Sequence, residues 1–260
     1  MKYTATYIVS IQFLGFRFHG WQKQSDVKTV HEMIDKSLSF VFKHTSFKTL
    51  GVGRTDAKVS ANAYVFQLFC DETLKESSFL KLLNLNFPND IKAVSVNKVS
   101  LNFNIIQHPK IKEYHYYFSF GEKNHPFAAP LMVGFEENLD IELMKKGALL
   151  FEGEHFFHKY CAKPSEHTHF QRTIKVCNIV ENTIYTANFF PAKSYVLQVK
   201  GAGFLRYQIR LMMGALLQVG RGELTVDAVE ASLMETNDRK PIPIIAQASG
   251  LQLYAIELLG

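Results

Sequence analysis

An α+β fold built in two antiparallel halves is the architecture this sequence predicts, and three observations carry the prediction. Short runs rich in β-branched and aromatic residues alternate with amphipathic helical stretches. The same rough order of elements occurs twice, without a repeat at the level of residues. The 260 residues are enough for one large domain or two smaller ones, each with its own buried core.

The elements follow in order. Residues 3–13, dense in Tyr, Thr, Val and Ile and ended by Gly15, read as a strand running into a loop with Gly20-Trp21-Gln22. A helix begins after Thr29, which makes a capping box with Glu32, and Val30, Ile34, Leu38 and Val41 recur at helical spacing as far as Phe42. A short strand at 48–52, a turn at Gly53 and a second strand at 62–70 place Gly53-Arg54-Thr55-Asp56 between strands. A helix at 77–85 stops before Pro88, and a strand at 91–99 closes the half.

The second half opens on the aromatic strand Glu113-Tyr114-His115-Tyr116-Tyr117-Phe118 and passes through a Pro-containing connector to a helix at 140–151. Strands at 173–180 and 194–200 follow. Gly201-Ala202-Gly203 introduces a long helix at 204–218, a shorter helix begins at Thr225, and a last strand occupies 251–258. The expected division is 1–105, carrying the Asp56 loop, and 106–260, carrying the tyrosine strand and the arginine helix. Helices gathered on one face of antiparallel sheets are the natural packing of this order, and two halves leave a cleft where chemistry is expected.

Composition narrows the function classes. The net charge of +5 leans toward a polyanionic partner without requiring one. Three widely spaced cysteines with no C-x-x-C argue against a disulfide framework or a zinc knuckle, and fit reduced thiols. No stretch is long and apolar enough for a membrane span, and no leader-like segment opens the chain, so a cytoplasmic location is expected. Without a Walker loop, a G-x-S-x-G elbow or a strand-borne G-x-G-x-x-G, nucleotide hydrolysis, serine chemistry and hydride transfer have no foothold.

Several constellations bear chemistry. Gly53-Arg54-Thr55-Asp56-Ala57 joins a guanidinium, a hydroxyl and a carboxylate within five positions, although Gly, Thr and Asp are also what an ordinary turn prefers. Arg206, Arg210 and Gly214 lie four apart, which on a continuous helix puts them in one row on an otherwise apolar surface. Burying either arginine unpaired is costly, so an anion is expected nearby, and Asp56 is a natural partner whose ionised form a guanidinium would favour. A structural ion pair is the alternative. Alternation puts Tyr114, Tyr116 and Phe118 on one face of their strand and His115 and Tyr117 on the other, which suits core packing as well as base stacking. His155, His158, His167 and His169 raise a metal reading, but no carboxylate or cysteine joins them at ligand spacing, so a solvated or RNA-facing loop is the better expectation.

In sequence order, Gly20-Trp21-Gln22-Lys23-Gln24, Thr29-Val30, Gly53-Arg54-Thr55-Asp56-Ala57, Lys112-Glu113-Tyr114-His115-Tyr116 and Gly203-Phe204-Leu205-Arg206 through Ile209-Arg210 and Gly214 resemble the TruA-type tRNA pseudouridine synthases. Gly153-Glu154-His155, Arg172-Thr173-Ile174 and Gly250-Leu251 extend the resemblance over nearly the whole chain. It implies two ferredoxin-like or RNA-recognition-like halves whose sheets join across a central catalytic cleft. It also implies uridine isomerisation at tRNA positions 38 to 40 in the anticodon arm, by a homodimer that needs no cofactor and no metal. Asp56 corresponds to the essential aspartate, which attacks the base or the ribose or takes a ribose proton. Arg210 corresponds to its arginine partner, Tyr114 to the tyrosine stacked on the uracil, and Arg54 to the residue that props the stack open as the nucleotide flips out. Lys58, Lys112, Arg172 and Arg206 are the further expected RNA contacts.

Three departures stand out. The family's Gly-Val-His-Ala is Lys58-Val59-Ser60-Ala61 here, Phe-His-Ala-Arg is Phe103-Asn104-Ile105-Ile106, and Gly-Glu-His-Asp-Phe is Gly153-Glu154-His155-Phe156-Phe157. The charge missing at Ile106 would have to come from Lys58 or Lys110. These changes admit an alternative, an RNA-binding module with impaired turnover or a divergent paralogue with other RNA targets.

Overall fold

The computed structural model describes residues 3–238 and 240–259, which form two compact units. The first runs to Lys110 and takes up the chain again from Leu253; the second is Ile111–Gln252.

In the first unit, β1 (Ala5–Phe13) lies antiparallel between β3 (Ser60–Cys70) and β4 (Ile91–Lys98), and β2 (Lys48–Gly51) adds antiparallel to β3. With α1 (Val30–Phe42) and α2 (Glu76–Asn86) in the connections, the order β4-β1-β3-β2 is that of the ferredoxin-like β-α-β-β-α-β motif. The capping box at Thr29 forms as expected: its side chain accepts from the Glu32 amide at 3.3 Å. The apolar stripe of α1 is buried at Val30, Ile34 and Leu38. Tyr7, Val9, Tyr64, Phe66 and Leu83 of the same unit are likewise fully covered. The last strand, β10 (Leu251–Leu258), follows β3 in the sheet order, and Asn62 Nδ2 donates to the Tyr254 carbonyl at 3.2 Å.

The second unit orders β5 (Lys110–Phe120), β9 (Tyr195–Gly201), β8 (Gln171–Glu181) and β7 (Gly153–Phe156) as an antiparallel sheet, with the short β6 (Val133–Phe135) parallel to β5. Its helices are α3 (Ile141–Leu149), α4 (Gln208–Gly220) and α5 (Val226–Ala231). Strands β6 and β7, of three and four residues, are too short to show in the sequence pattern. Helix α4 begins at Gln208, four residues later than the apolar spacing predicts. Tyr207 sits at φ 63°, a left-handed conformation that a growing helix cannot contain, and the Gln208 side chain accepts from the Leu205 amide at 2.8 Å just ahead of the first turn. Nearly all of α4 is buried, including Leu211, Met212, Met213 and Leu216.

Candidate active site

The Asp56 loop links β2 to β3 and is held along its backbone at several points. The Val52 amide donates to Val65 O at 3.0 Å, Trp21 N to Thr55 O at 3.3 Å, Lys58 N to Phe18 O at 2.9 Å and Val59 N to Asp56 O at 3.2 Å. Tyr64 Oη donates to Gly53 O, and Ser60 Oγ accepts from the Gly15 amide at 2.9 Å. Gly20, at φ +84°, lies so close that a Cβ there would sit 2.4 Å from Thr55 O. Trp21 is stacked between His31, 5.0 Å away, and Tyr64, 4.2 Å away. A turn that only reversed the chain would not need this bracing. The Gly20-Trp21 pair of the first loop thus has a physical reason: one residue allows the close approach and the other fastens it.

Asp56 itself is half-buried, whereas Arg54 and Lys58 on either side of it are exposed. Among the described residues neither cation is recorded in an ion pair with a carboxylate. The Thr55 hydroxyl is buried with no hydrogen-bond partner among the described residues. Lys58 adopts φ 67°, so the backbone does take the left-handed conformation for which glycine is suited, and the lysine bears its strain.

In the second unit the aromatic strand is largely core: His115, Tyr116, Tyr117 and Phe118 are buried, and Tyr116 Oη donates to Gln247 O at 2.8 Å. Tyr114 is the half-buried member of the run. Its ring meets Phe204 edge to face at 5.3 Å, which fixes its plane.

The expected row of Arg206, Arg210 and Gly214 does not form, because Arg206 precedes α4 and is exposed. Both guanidiniums instead lie over the Tyr207 ring, Arg206 at 5.3 Å and Arg210 at 4.7 Å. Arg210, in the first turn of α4, donates through Nε to Ala246 O at 2.8 Å. Gly214 answers to packing: a Cβ there would lie 1.9 Å from Ile244 O.

Arg172 and Arg206 both lie near the Cys161-Ala162 segment. The Ala162 amide donates to Arg206 O at 3.0 Å, and the neighbouring Cys161 thiol, raised by burial, feels the charges of both arginines. Lys112 is half-buried on β5, paired in register with Gly201. Lys110 cannot supply the charge missing at Ile106, because its ammonium donates to the carbonyls of Ile105, Ile106 and His108 at 2.7, 2.8 and 2.7 Å.

The histidine segment is not uniformly solvated. His167 and His169 are exposed, but His158 is buried, its ring 4.3 Å from Phe170 and 5.7 Å from Phe156, and His155 Nε2 contacts Glu152 O at 2.7 Å. The change to Phe156 therefore supplies a stacking surface for His158. Among the described residues no three His, Cys, Asp or Glu side chains converge as a metal cage would require. No helix among them is long and apolar enough to cross a membrane.

Two residues, one in each unit, left little trace in the sequence. Ala246 acts through its backbone, which no residue type announces. Phe16 stands in the loop between β1 and α1 at a position that no motif marks, with the Lys58 ammonium 5.7 Å from its ring centroid.

Comparison with known proteins adds an independent line. A family model described as tRNA pseudouridine synthase matches residues 148–257. The chain is 30% identical over 253 residues to "tRNA pseudouridine synthase A" of Pseudothermotoga lettingae, covering 96% of this chain and 98% of that protein. It is 32% identical over 254 residues to the protein of the same name from Thermosipho melanesiensis, again covering 96% and 98%. It is 31% identical to "tRNA pseudouridine synthase A 2" of Bacillus thuringiensis, with the same coverage.

Proposed function

Since the chain belongs to the tRNA pseudouridine synthase family of isomerases, we propose that it converts uridines in the anticodon arm of tRNA, at positions 38 to 40, with Asp56 as the catalytic carboxylate. The observation that carries the assignment is the Asp56 loop, fastened at its backbone by two neighbouring segments and presenting a half-buried carboxylate between two exposed cations.

The reaction breaks the N1–C1′ bond, turns the uracil, forms a C5–C1′ bond and releases the C5 proton, while N1 takes up a proton. Atoms and electrons balance without an oxidant or reductant. Asp56 attacks the base or the ribose, or takes a ribose proton, as the glycosidic bond breaks. Arg210 takes the part that the resemblance gives to the arginine partner of the aspartate. Tyr114, its plane set by Phe204, stacks on the detached uracil and assists loss of the C5 proton. Arg54 fills the place of the flipped nucleotide, while Lys58, Lys112, Arg172 and Arg206 meet phosphates. The enzyme works in the cytoplasm as a homodimer, whose second copy enlarges the basic surface offered to the RNA.

Tritium release from tRNA transcripts labelled at uridine C5 tests the reading, with wild type compared to Asp56→Asn at matched RNA binding. Asp56-dependent release at the anticodon arm is expected, with the affinity of the variant within a few-fold of wild type. Binding without release by wild type would replace this reading with an RNA-binding module lacking turnover.

A further inference from the structure

Beside Lys58, already expected to meet RNA, stands Phe16, an aromatic ring that the family resemblance does not account for. Phe16 is 38% exposed, an unusual position for a large apolar ring on a loop whose other phenylalanine, Phe18, is buried as an anchor. Lys58 holds its ammonium 5.7 Å from the Phe16 ring centroid and makes no recorded ion pair among the described residues. It does so from φ 67°, where a glycine would be unstrained. A strained residue at the edge of a reacting site is a reason to look for a ligand.

The backbone segments that bear the two side chains are held against the loop of Asp56. A Cβ on Gly15 would lie 2.0 Å from Val59 O, and Lys58 N donates to Phe18 O at 2.9 Å, so the tip bearing Phe16 and the loop bearing Asp56 cannot move apart independently. Asp56 and Lys58 are two residues apart in the chain, at most about 7 Å between Cα atoms. A group held by the pair would therefore lie about one nucleotide from the reacting uridine.

A partly exposed aromatic ring with an ammonium beside it is the combination that holds an unpaired nucleotide: the ring takes the base and the cation takes the phosphate. We propose that Phe16 and Lys58 form a subsite for the unpaired nucleotide adjacent to the target uridine, with the base stacked on Phe16 and its phosphate on Lys58. The proposal rests on the uridine isomerase reading and adds a determinant of which sequence context is accepted. A base displaces the ammonium from the ring, since stacking on an aromatic face is the stronger contact at an exposed site.

The experiment measures equilibrium binding and single-turnover isomerisation of a tRNA transcript by wild type, Phe16→Leu, Phe16→Tyr and Lys58→Gln. The transcript is used intact and with an abasic nucleotide on either side of the target. Phe16→Leu, which keeps size and apolarity, should weaken binding by about fivefold or more, and Phe16→Tyr should restore it. Removing one neighbouring base should weaken wild type by the same factor and Phe16→Leu by nothing further, the signature of a shared contact. Lys58→Gln should lower the slope of log affinity against log salt by about 0.7. Unchanged binding by Phe16→Leu, or equal binding by the leucine and tyrosine variants, would overturn the subsite. If wild type binds in a Phe16-dependent way but never isomerises, the subsite stands and the isomerase reading falls.

Discussion

Arg210 and Ala246 are joined twice: the Nε of Arg210 donates to the Ala246 carbonyl at 2.8 Å, and the Arg210 carbonyl accepts the Ala246 amide at 3.1 Å. The same segment crosses α4 at Gly214, where Ile244 O leaves no space for a side chain. One edge of the guanidinium is thus spent on orientation, and Tyr207 supports its face. A planar fork held at one edge can aim its remaining N–H groups, which a flexible ammonium cannot do.

Arg210→Lys should therefore lose turnover although it keeps the charge. The expected fall is about a hundredfold or more in single-turnover isomerisation, with a loss of about 1 kcal/mol in urea denaturation from the missing Ala246 bond. Near-wild-type turnover in this variant would mean that charge alone suffices at this position.

Gly20→Ala should damage both fold and chemistry. The substitution meets a φ of +84° and places a Cβ 2.4 Å from Thr55 O, so we expect a loss of about 2 kcal/mol or more together with a large fall in turnover as the Asp56 loop shifts. Gly222→Ala is the control, since Gly222 has φ +72° and nothing within 4 Å of its would-be Cβ. It should show the backbone cost of about 1 kcal/mol and normal turnover per folded molecule. Equal turnover in the two variants would show that Gly20 does not position the loop.

These two sites also show what the sequence could reveal. Helix α1 was legible because local and global signals agree: Thr29 and Glu32 cap it, and Ile34 and Leu38 continue the apolar stripe. The start of α4 was not, because Phe204 and Leu205 prolong its apolar pattern while Tyr207 turns left-handed, a backbone choice that side-chain periodicity does not encode. Asp56 was legible as a candidate from its company in Gly-Arg-Thr-Asp, but not the bracing of its loop. Part of that bracing depends on contacts between residues more than 30 positions apart, such as Gly20 with Thr55 and Gly15 with Ser60.

Lys58→Gly should stabilise the protein while weakening its hold on RNA. Removing the left-handed strain contributes about 1–2 kcal/mol, and the added freedom of glycine in the unfolded chain takes back part of it, leaving a net gain of about 0.5–1 kcal/mol. Urea denaturation midpoints and tRNA affinities measured on the same preparations check both signs. A variant that is less stable than wild type would show that the Lys58 side chain contributes more to the fold than its backbone costs.

Acid should weaken the fold first through two histidines. His115 is buried, with Nε2 2.7 Å from Glu113 and Nδ1 3.2 Å from the Tyr117 hydroxyl, and burial lowers its pKa below 6.5 against the opposing pull of Glu113. His31, stacked on Trp21 and 2.7 Å from Thr49 Oγ1, is likewise lowered by burial against the pull of Asp35. Above pH 6.5 both rings are neutral in the folded and unfolded chains, and their stabilising contribution is complete. As the pH falls through 6.5 the unfolded chain takes up protons that the folded one refuses, so stability declines until the folded pKa values are reached, by at most about 1.4 kcal/mol per pH unit for each ring. The lowered carboxylates Glu32, Glu137 and Asp238 act in a separate window, below about pH 4.5. The urea midpoint should therefore drop between pH 7.5 and 5.5, and the drop should shrink in His115→Gln and again when His31→Gln is added, whatever the absolute stability of either variant. A slope that survives in the double variant would place the acid sensitivity elsewhere.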